Sequence, residues 1–306
     1  MATGLLVKCA VVVYCAVSAG APAMKKRGRD AGIRRKTMIT VHDIRARLAQ
    51  DKPTVGTWLQ IPSPDVAELM ARAGYDWVAV DMEHGSFSPS ILPDVFRGIE
   101  CGGAAPFARL PEATKQNIKF ALEAGAQGLI FPMIESREQL DRAIGWATYP
   151  GLDDWAGEGQ HPAEYRGVGY CRANVFGKDF DAYRAGVARE VFLVAQIEHI
   201  RAVENLESIL SHPRLDAIMV GPYDLSGSMG LTGQFDHPDF QAVMEKINAT
   251  CARMHAWDCT SCSLILKSSG ARPQRAPVLS PTASIPCSCG VPRSVPNRAP
   301  ALRQGE

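Results

Sequence analysis

Six short apolar runs recur along this chain at the spacing of βα units, and that alternation constrains the fold more than any other feature. The runs are 55–61 (VGTWLQI), 77–80 (WVAV), 105–110 (APFARL), 128–134 (GLIFPMI), 191–197 (VFLVAQI) and 217–220 (AIMV). Between them lie segments of helical spacing with local start and stop signals. Asp65 opens 65–73 and Gly74 closes it, Gly125 closes 114–123, and Ser136 with Gln139 three residues on caps 136–147. A run that is apolar throughout is a strand buried on both faces, as in a parallel sheet covered by helices. The count favours a (β/α)8 TIM-type barrel over a doubly wound sheet. No GxGxxG follows the first run, which weighs against a dinucleotide-binding fold.

In such a barrel the residues just past each strand's C-terminal end gather on one face. Glu198 follows the fifth run and Asp224 the sixth. Two hard oxygen ligands so placed suit a divalent cation such as Mg2+ or Mn2+, though each alone reads equally well as an acid at a helix N-terminus. Asp81 ends the second run and His84 stands three residues on. They read either as a carboxylate-oriented general base or as a turn Asp beside a loop His. Arg109, in the otherwise apolar third run, needs a partner and is placed to stabilise an oxyanion. Gln196 shares a side of its strand with Glu198. Trp58 reads as a pocket floor or as core. The small residues of Gly221–Gly230 offer backbone N–H groups for a carboxylate or phosphate. This set suits enolate chemistry on a 2-oxo acid, with carbon–carbon cleavage beside the carbonyl.

With 306 residues the chain is long enough for one large domain, and its net charge of +1 gives no overall drive toward nucleic acid or anionic membrane. Of the nine cysteines only Cys101 and Cys171 fall within the expected core before Cys251, so the core reads as reduced and cytoplasmic. Residues 1–37 read as an extension outside the fold. Leu5–Ala23 is apolar and small, as in a signal or transit segment, but the basic residues from Lys25 to Lys36 follow it instead of preceding it. The barrel is expected over 38–257. Beyond Asp258 seven of the 21 prolines accumulate with many serines and no acid until Glu306, so 258–306 reads as a low-complexity, disordered tail. Its Cys259-x-x-Cys262 and Cys287-x-Cys289 lack the flanking pattern of a zinc site.

The strand-end motifs carry a resemblance. Gly56-Thr57-Trp58, Asp76–Gly85 (DWVAVDMEHG), Phe107–Pro111 (FARLP), Gly128–Ser136 (GLIFPMIES), Arg166–Tyr170 (RGVGY), Val194–Glu198 (VAQIE) and Val220–Gly230 (VGPYDLSGSMG) resemble the HpcH/HpaI aldolase and citrate-lyase family, over roughly residues 38–257. The resemblance implies a TIM barrel of the phosphoenolpyruvate/pyruvate kind. It also implies a metal-dependent aldolase acting on a 2-keto-3-deoxy sugar acid, 2-dehydro-3-deoxyglucarate or 4-hydroxy-2-oxoheptanedioate aldolase-like. The cleavage of a 4-hydroxy-2-oxo acid would yield pyruvate and an aldehyde through a metal-bound enolate. Glu198 and Asp224 would hold Mg2+ or Mn2+, possibly Co2+. His84 and Asp81 would form the base pair, Arg109 would act on the enolate, and Gln196 would lie in the substrate site. The Tyr223 and Asp224 amides would hold the pyruvate carboxylate. The assembly would be a homohexamer with an exchanged C-terminal helix.

The tail does not resemble the family's seventh and eighth strands. The barrel is therefore expected to lack strands 7–8, as a frameshift or mis-joined exon would leave it. That makes a truncated, inactive chain the first alternative. A citryl- or malyl-CoA lyase-like enzyme is the second.

Overall fold

The structure, a computed structural model, describes residues 38–50, 52–156, 161–254, 257–260 and 265–268. The N-terminal extension, Cys262, Cys287 and Cys289, and everything after Ser268 lie outside the described residues.

Each expected strand forms. They are β1 (Thr54–Leu59), β2 (Trp77–Asp81), β3 (Ala105–Arg109), β4 (Gly128–Phe131), β5 (Phe192–Ile197) and β6 (Ala217–Val220). Each is parallel to the next, in sequence order. The helices between them are α2 (Pro64–Arg72), α3 (Leu92–Gly102), α4 (Lys115–Ala124), α5 (Arg137–Ala147), α6 (Phe180–Ala185), α7 (Ile200–Glu204) and α8 (Leu206–Leu210). Then follow α9 (Pro222–Ser228) and α10 (Pro238–Met254). Capping is local and legible. Ser63, Thr114 and Ser136 side chains accept from the N–H three residues on, which satisfies donors that a helix start leaves open.

The expectation of a sheet lacking strands 7 and 8 is not confirmed. Trp257–Thr260 (β7) pairs parallel with β6, and Ile265–Ser268 (β8) pairs antiparallel with both β7 and β1, closing the barrel. Unpaired edges on β1 and β6 would expose rows of N–H and C=O groups. The link between β7 and β8 is too short for a crossover helix, so the eighth strand can return only as a hairpin. The sheet therefore runs past the expected boundary at Trp257, and the open edges behind the inactive reading are paired.

Side chains alternate between two cores, as strand geometry requires. Trp77, Ala79, Ala105, Phe107, Ile130, Phe192, Val194, Ala217 and Met219 fill the barrel, while Val78, Val80, Ala108, Leu129 and Leu193 meet the helices. Inside, the Trp77 and Phe107 rings stack at 5.2 Å, and Phe107 meets Phe192 at 5.6 Å. A Cβ at Gly56 would lie 2.1 Å from the Trp77 ring, so only glycine fits there. An N-terminal helix, α1 (Val41–Leu48), puts Val41, Ile44 and Leu48 against this interior. It is pinned by Arg45, which donates to both Asp216 oxygens at 2.7 and 2.8 Å and to the carbonyls of Glu190 and Val191. No helix among the described residues is long and apolar enough to cross a membrane.

Between α5 and β5, Arg166 reaches into a small core of Tyr149, Leu152, Tyr183 and Ala188, while Gly167 and Val168 stay exposed. There Arg166 is buried over the Tyr149 ring at 4.4 Å and donates to the Tyr183 hydroxyl at 2.9 Å.

His212, between α8 and β6, is buried and packs its ring at a tilt against Trp155, centroids 5.0 Å apart. Its Nδ1 accepts from the Arg214 N–H at 3.0 Å, and its Nε2 is 3.4 Å from Asp141. Burial, helped by the charge of Arg137 and opposed by Asp141, lowers its pKa to about 4. Below pH ~6.5 the unfolded chain binds a proton there that the fold excludes until about pH 4. The group therefore costs stability as pH falls through that window, by up to ~3 kcal/mol. Urea unfolding from pH 7 to 4 should show a shallower acid loss in His212→Asn, which keeps an acceptor near Nδ1. An unchanged slope would contradict this.

Candidate active site

Six successive strands deliver polar groups to their C-terminal ends. The anchor is a pair in register across β2 and β3, Asp81 and Arg109. Arg109 Nε donates to Asp81 Oδ1 at 3.0 Å and Nη2 to Oδ2 at 2.8 Å, a bidentate pair with Asp81 fully buried. Gln60, just past β1, donates to Asp81 Oδ2 at 2.7 Å, and the Glu83 and His84 backbone N–H groups reach Oδ1 at 3.3 and 3.2 Å. Burial alone would raise the Asp81 carboxyl. The hydrogen bond and charge of Arg109, with Gln60 and the His84 N–H, outweigh it and hold the group below its ordinary value. The Arg109 guanidinium lies 4.6 Å over the Trp58 ring, and its Nη1 is 3.2 Å from Glu83 Oε2.

Glu198 follows β5 and is buried. Its Oε1 accepts from the Met133 N–H at 2.7 Å and its Oε2 from Gln196 Nε2. Met133 makes that contact from a left-handed backbone (φ 52°), a conformation that costs energy in a non-glycine residue and clusters at functional sites. Burial pushes the Glu198 carboxyl up to about 7. The Met133 N–H opposes the rise, and the negative charges of Glu83 and Asp224 add to it. Glu83 is raised as well, by burial first, with Arg109 and His84 opposing and Asp81 and Asp224 adding. Four carboxylates, Asp81, Glu83, Glu198 and Asp224, thus share one field around Arg109.

Gly221 lies between β6 and α9. A Cβ there would stand 2.5 Å from Glu198 Oε2 and 3.0 Å from Gln196 Nε2. The buried carbonyl oxygen of Gln196 has no hydrogen-bond partner among the described residues. Tyr223 is exposed with its ring on Phe235 at 4.9 Å, and Asp224 is exposed. Both lie in the first turn of α9, where helical N–H groups have no intrahelical acceptor.

The structure brings together Asp81, Arg109 and Trp58, and separately Gln196 and Glu198, with Asp224 in electrostatic reach. It does not join the His84 ring to Asp81. The two meet through the His84 backbone N–H, and the exposed His84 side chain stands within electrostatic reach of Glu83. The physical reason is competition: both Asp81 oxygens are taken by a guanidinium and an amide. Sequence reasoning missed Gln60, Glu83 and Met133. Gln60 and Glu83 stand at strand ends like the residues chosen, but Met133 acts through its backbone, which no residue pattern reveals.

Carboxylates, an arginine and backbone N–H groups thus meet at the C-terminal ends of six parallel strands. The profile of the HpcH/HpaI aldolase/citrate lyase family matches residues 54–261, and the chain belongs to that family. It is 36% identical over 210 residues to a hydroxypyruvate/pyruvate aldolase of Paraburkholderia phytofirmans, covering 67% of this chain and 76% of that one. It is 32% identical over 216 residues to a 5-keto-4-deoxy-D-glucarate aldolase of Salmonella paratyphi A, covering 70% and 79%. A crystal structure of a family member from Burkholderia cenocepacia superposes with TM-score 0.65 at 32% identity, covering 71% and 83%. Aldolases are carbon–carbon lyases, and this chain is a member of a lyase family.

Gly221→Ala should displace the Glu198 carboxylate. We expect turnover at the site to fall at least about tenfold, while overpacking lowers Tm by only a few degrees. Unchanged turnover would show that Glu198 is not needed where it is seen.

Proposed function

We propose that the chain is a divalent-metal-dependent aldolase that cleaves a 4-hydroxy-2-oxo acid to pyruvate and an aldehyde. The observation that carries this reading is the buried, doubly hydrogen-bonded Glu198 carboxylate in the field of Asp224 and Glu83, opposite Arg109. Negative charge accumulated at that depth calls for a cation. The donor set fits Mg2+ or Mn2+: Glu198 and Asp224 offer hard oxygen ligands, and Gly221, lacking a Cβ, lets the β6–α9 backbone pack against the Glu198 carboxylate. Among the described residues no group of three or more His, Cys, Asp and Glu is arranged to hold a metal. In this reading Glu198 and Asp224 would hold the cation, with the remaining positions left to water and to the substrate.

Such a cation supplies Lewis-acid polarisation of the 2-oxo group. The rest falls to the chain's own residues. The Tyr223 and Asp224 N–H groups hold the substrate carboxylate. Arg109, clamped by Asp81, donates to the oxyanion as charge develops on the former carbonyl oxygen. Gln196 and Trp58 shape the pocket. His84 is the base. It takes the proton of the C4 hydroxyl, the C3–C4 bond breaks to give the aldehyde, and its electron pair forms the enolate of pyruvate. A proton returned to C3 completes the products. In this reading Asp81 serves Arg109 and does not form a dyad with His84. 5-Keto-4-deoxy-D-glucarate, which the name of one relative carries, has the 4-hydroxy-2-oxo pattern and is the first substrate to try.

The test is pyruvate release from a panel of 4-hydroxy-2-oxo acids, coupled to lactate dehydrogenase. We expect turnover with Mg2+ or Mn2+, its loss on chelation, and a fall of at least about 100-fold in Glu198→Ala. Turnover that survives both would contradict the proposal.

A further inference from the structure

Glu83 has no part in the roles above, yet it stands at the centre of the site's charges. It follows β2 in the Met82–Gly85 turn, and its side chain is 16% exposed. Its Oε2 is buried, lies 3.2 Å from Arg109 Nη1, and has no hydrogen-bond partner among the described residues. It is a charge contact at an angle outside hydrogen-bond geometry. Asp81 grips Nε and Nη2 of the same guanidinium, and the Trp58 ring lies on one face of it.

A bidentate grip on one edge leaves a guanidinium free to tilt about that edge, and a flat ring beneath permits sliding. A carboxylate beside the third nitrogen removes both freedoms, because the fork is planar and rigid. With Asp81 and Glu83 in place, the remaining Nη hydrogens are the only donors of Arg109 left for a ligand. The carboxylate also matters by its charge. A neutral amide at 83 would match its size without balancing the guanidinium.

We propose that Glu83 is a positioning residue that acts through Arg109 Nη1, fixing the guanidinium plane so that its unused N–H donors meet the substrate oxyanion. The proposal takes its chemistry from the aldolase reading, but its geometry stands without it.

A double-mutant cycle tests it. In the wild-type background, Glu83→Gln should lower kcat for pyruvate release about 10- to 100-fold and leave KM within about threefold. In an Arg109→Lys background, where no planar fork remains to orient, the same change should cost less than about twofold. Additive losses, or a loss confined to KM, would overturn the proposal. Glu83→Asp, which keeps the charge and shortens the reach, should lower kcat in the same way, and serves if Glu83→Gln does not fold.

A second readout needs no turnover. The Arg109 Nη resonances of 15N-labelled protein should show restricted rotation in the wild type and faster rotation in Glu83→Gln. Equal rotation in the two would overturn the proposal. If the wild type releases no pyruvate with Mg2+ or Mn2+, the aldolase reading fails on its own, and the resonances still decide whether Glu83 holds Arg109.

Discussion

The bidentate pair between Asp81 and Arg109 is the interaction on which the site depends. It joins the last residues of two neighbouring strands in register. It draws in Gln60 from the strand on the other side, and it organises the turn after β2 through the N–H groups of Glu83 and His84. A buried arginine without a partner would be ruinous, and a buried aspartate equally so. Together they satisfy each other, and removing either would leave the other charge stranded. The pair also consumes Asp81. A carboxylate gripped by a guanidinium and an amide, and held below its ordinary pKa, is a poor proton acceptor.

Away from that pair the site has the opposite character. Glu198 is buried with donors on both oxygens and still lies near pH 7, because burial and two neighbouring carboxylates oppose its charge. Hydrogen-bond donors alone do not settle it. The barrel carries this cost at one end while the other is tightly closed, with α1 pinned by Arg45 and the interior filled by Trp77, Phe107 and Phe192. Stability lies at the N-terminal ends of the strands and unsatisfied charge at the C-terminal ends, the division of labour general to such barrels.

Much of this was legible in the sequence, for identifiable reasons. Strands buried on both faces leave unbroken apolar runs, so β1 to β6 could be read directly. Asp81, Arg109, Glu198 and Asp224 stood out as charges abutting those runs. Partner choice was less legible. His84 is close to Asp81 in sequence, whereas Arg109, which grips the Asp81 carboxylate, lies on another strand, and local spacing could not reveal that contact. The Met133 N–H was invisible because a backbone group carries no residue signature. β7 and β8 were missed because a hairpin of short strands lacks the helix that marks a βα unit, and pairing to existing edges at β6 and β1 needs little intrinsic strand preference.

We propose that Glu198 and Asp224, at the ends of β5 and β6, form a divalent-cation site built for a 2-oxo acid. Mn2+ binding followed by electron paramagnetic resonance tests it most directly. The account predicts one Mn2+ per chain, tightened by oxalate as a mimic of the bidentate enolate, and lost in Glu198→Gln with the fold intact. Equal Mn2+ binding in wild type and variant, or binding indifferent to oxalate, would contradict it.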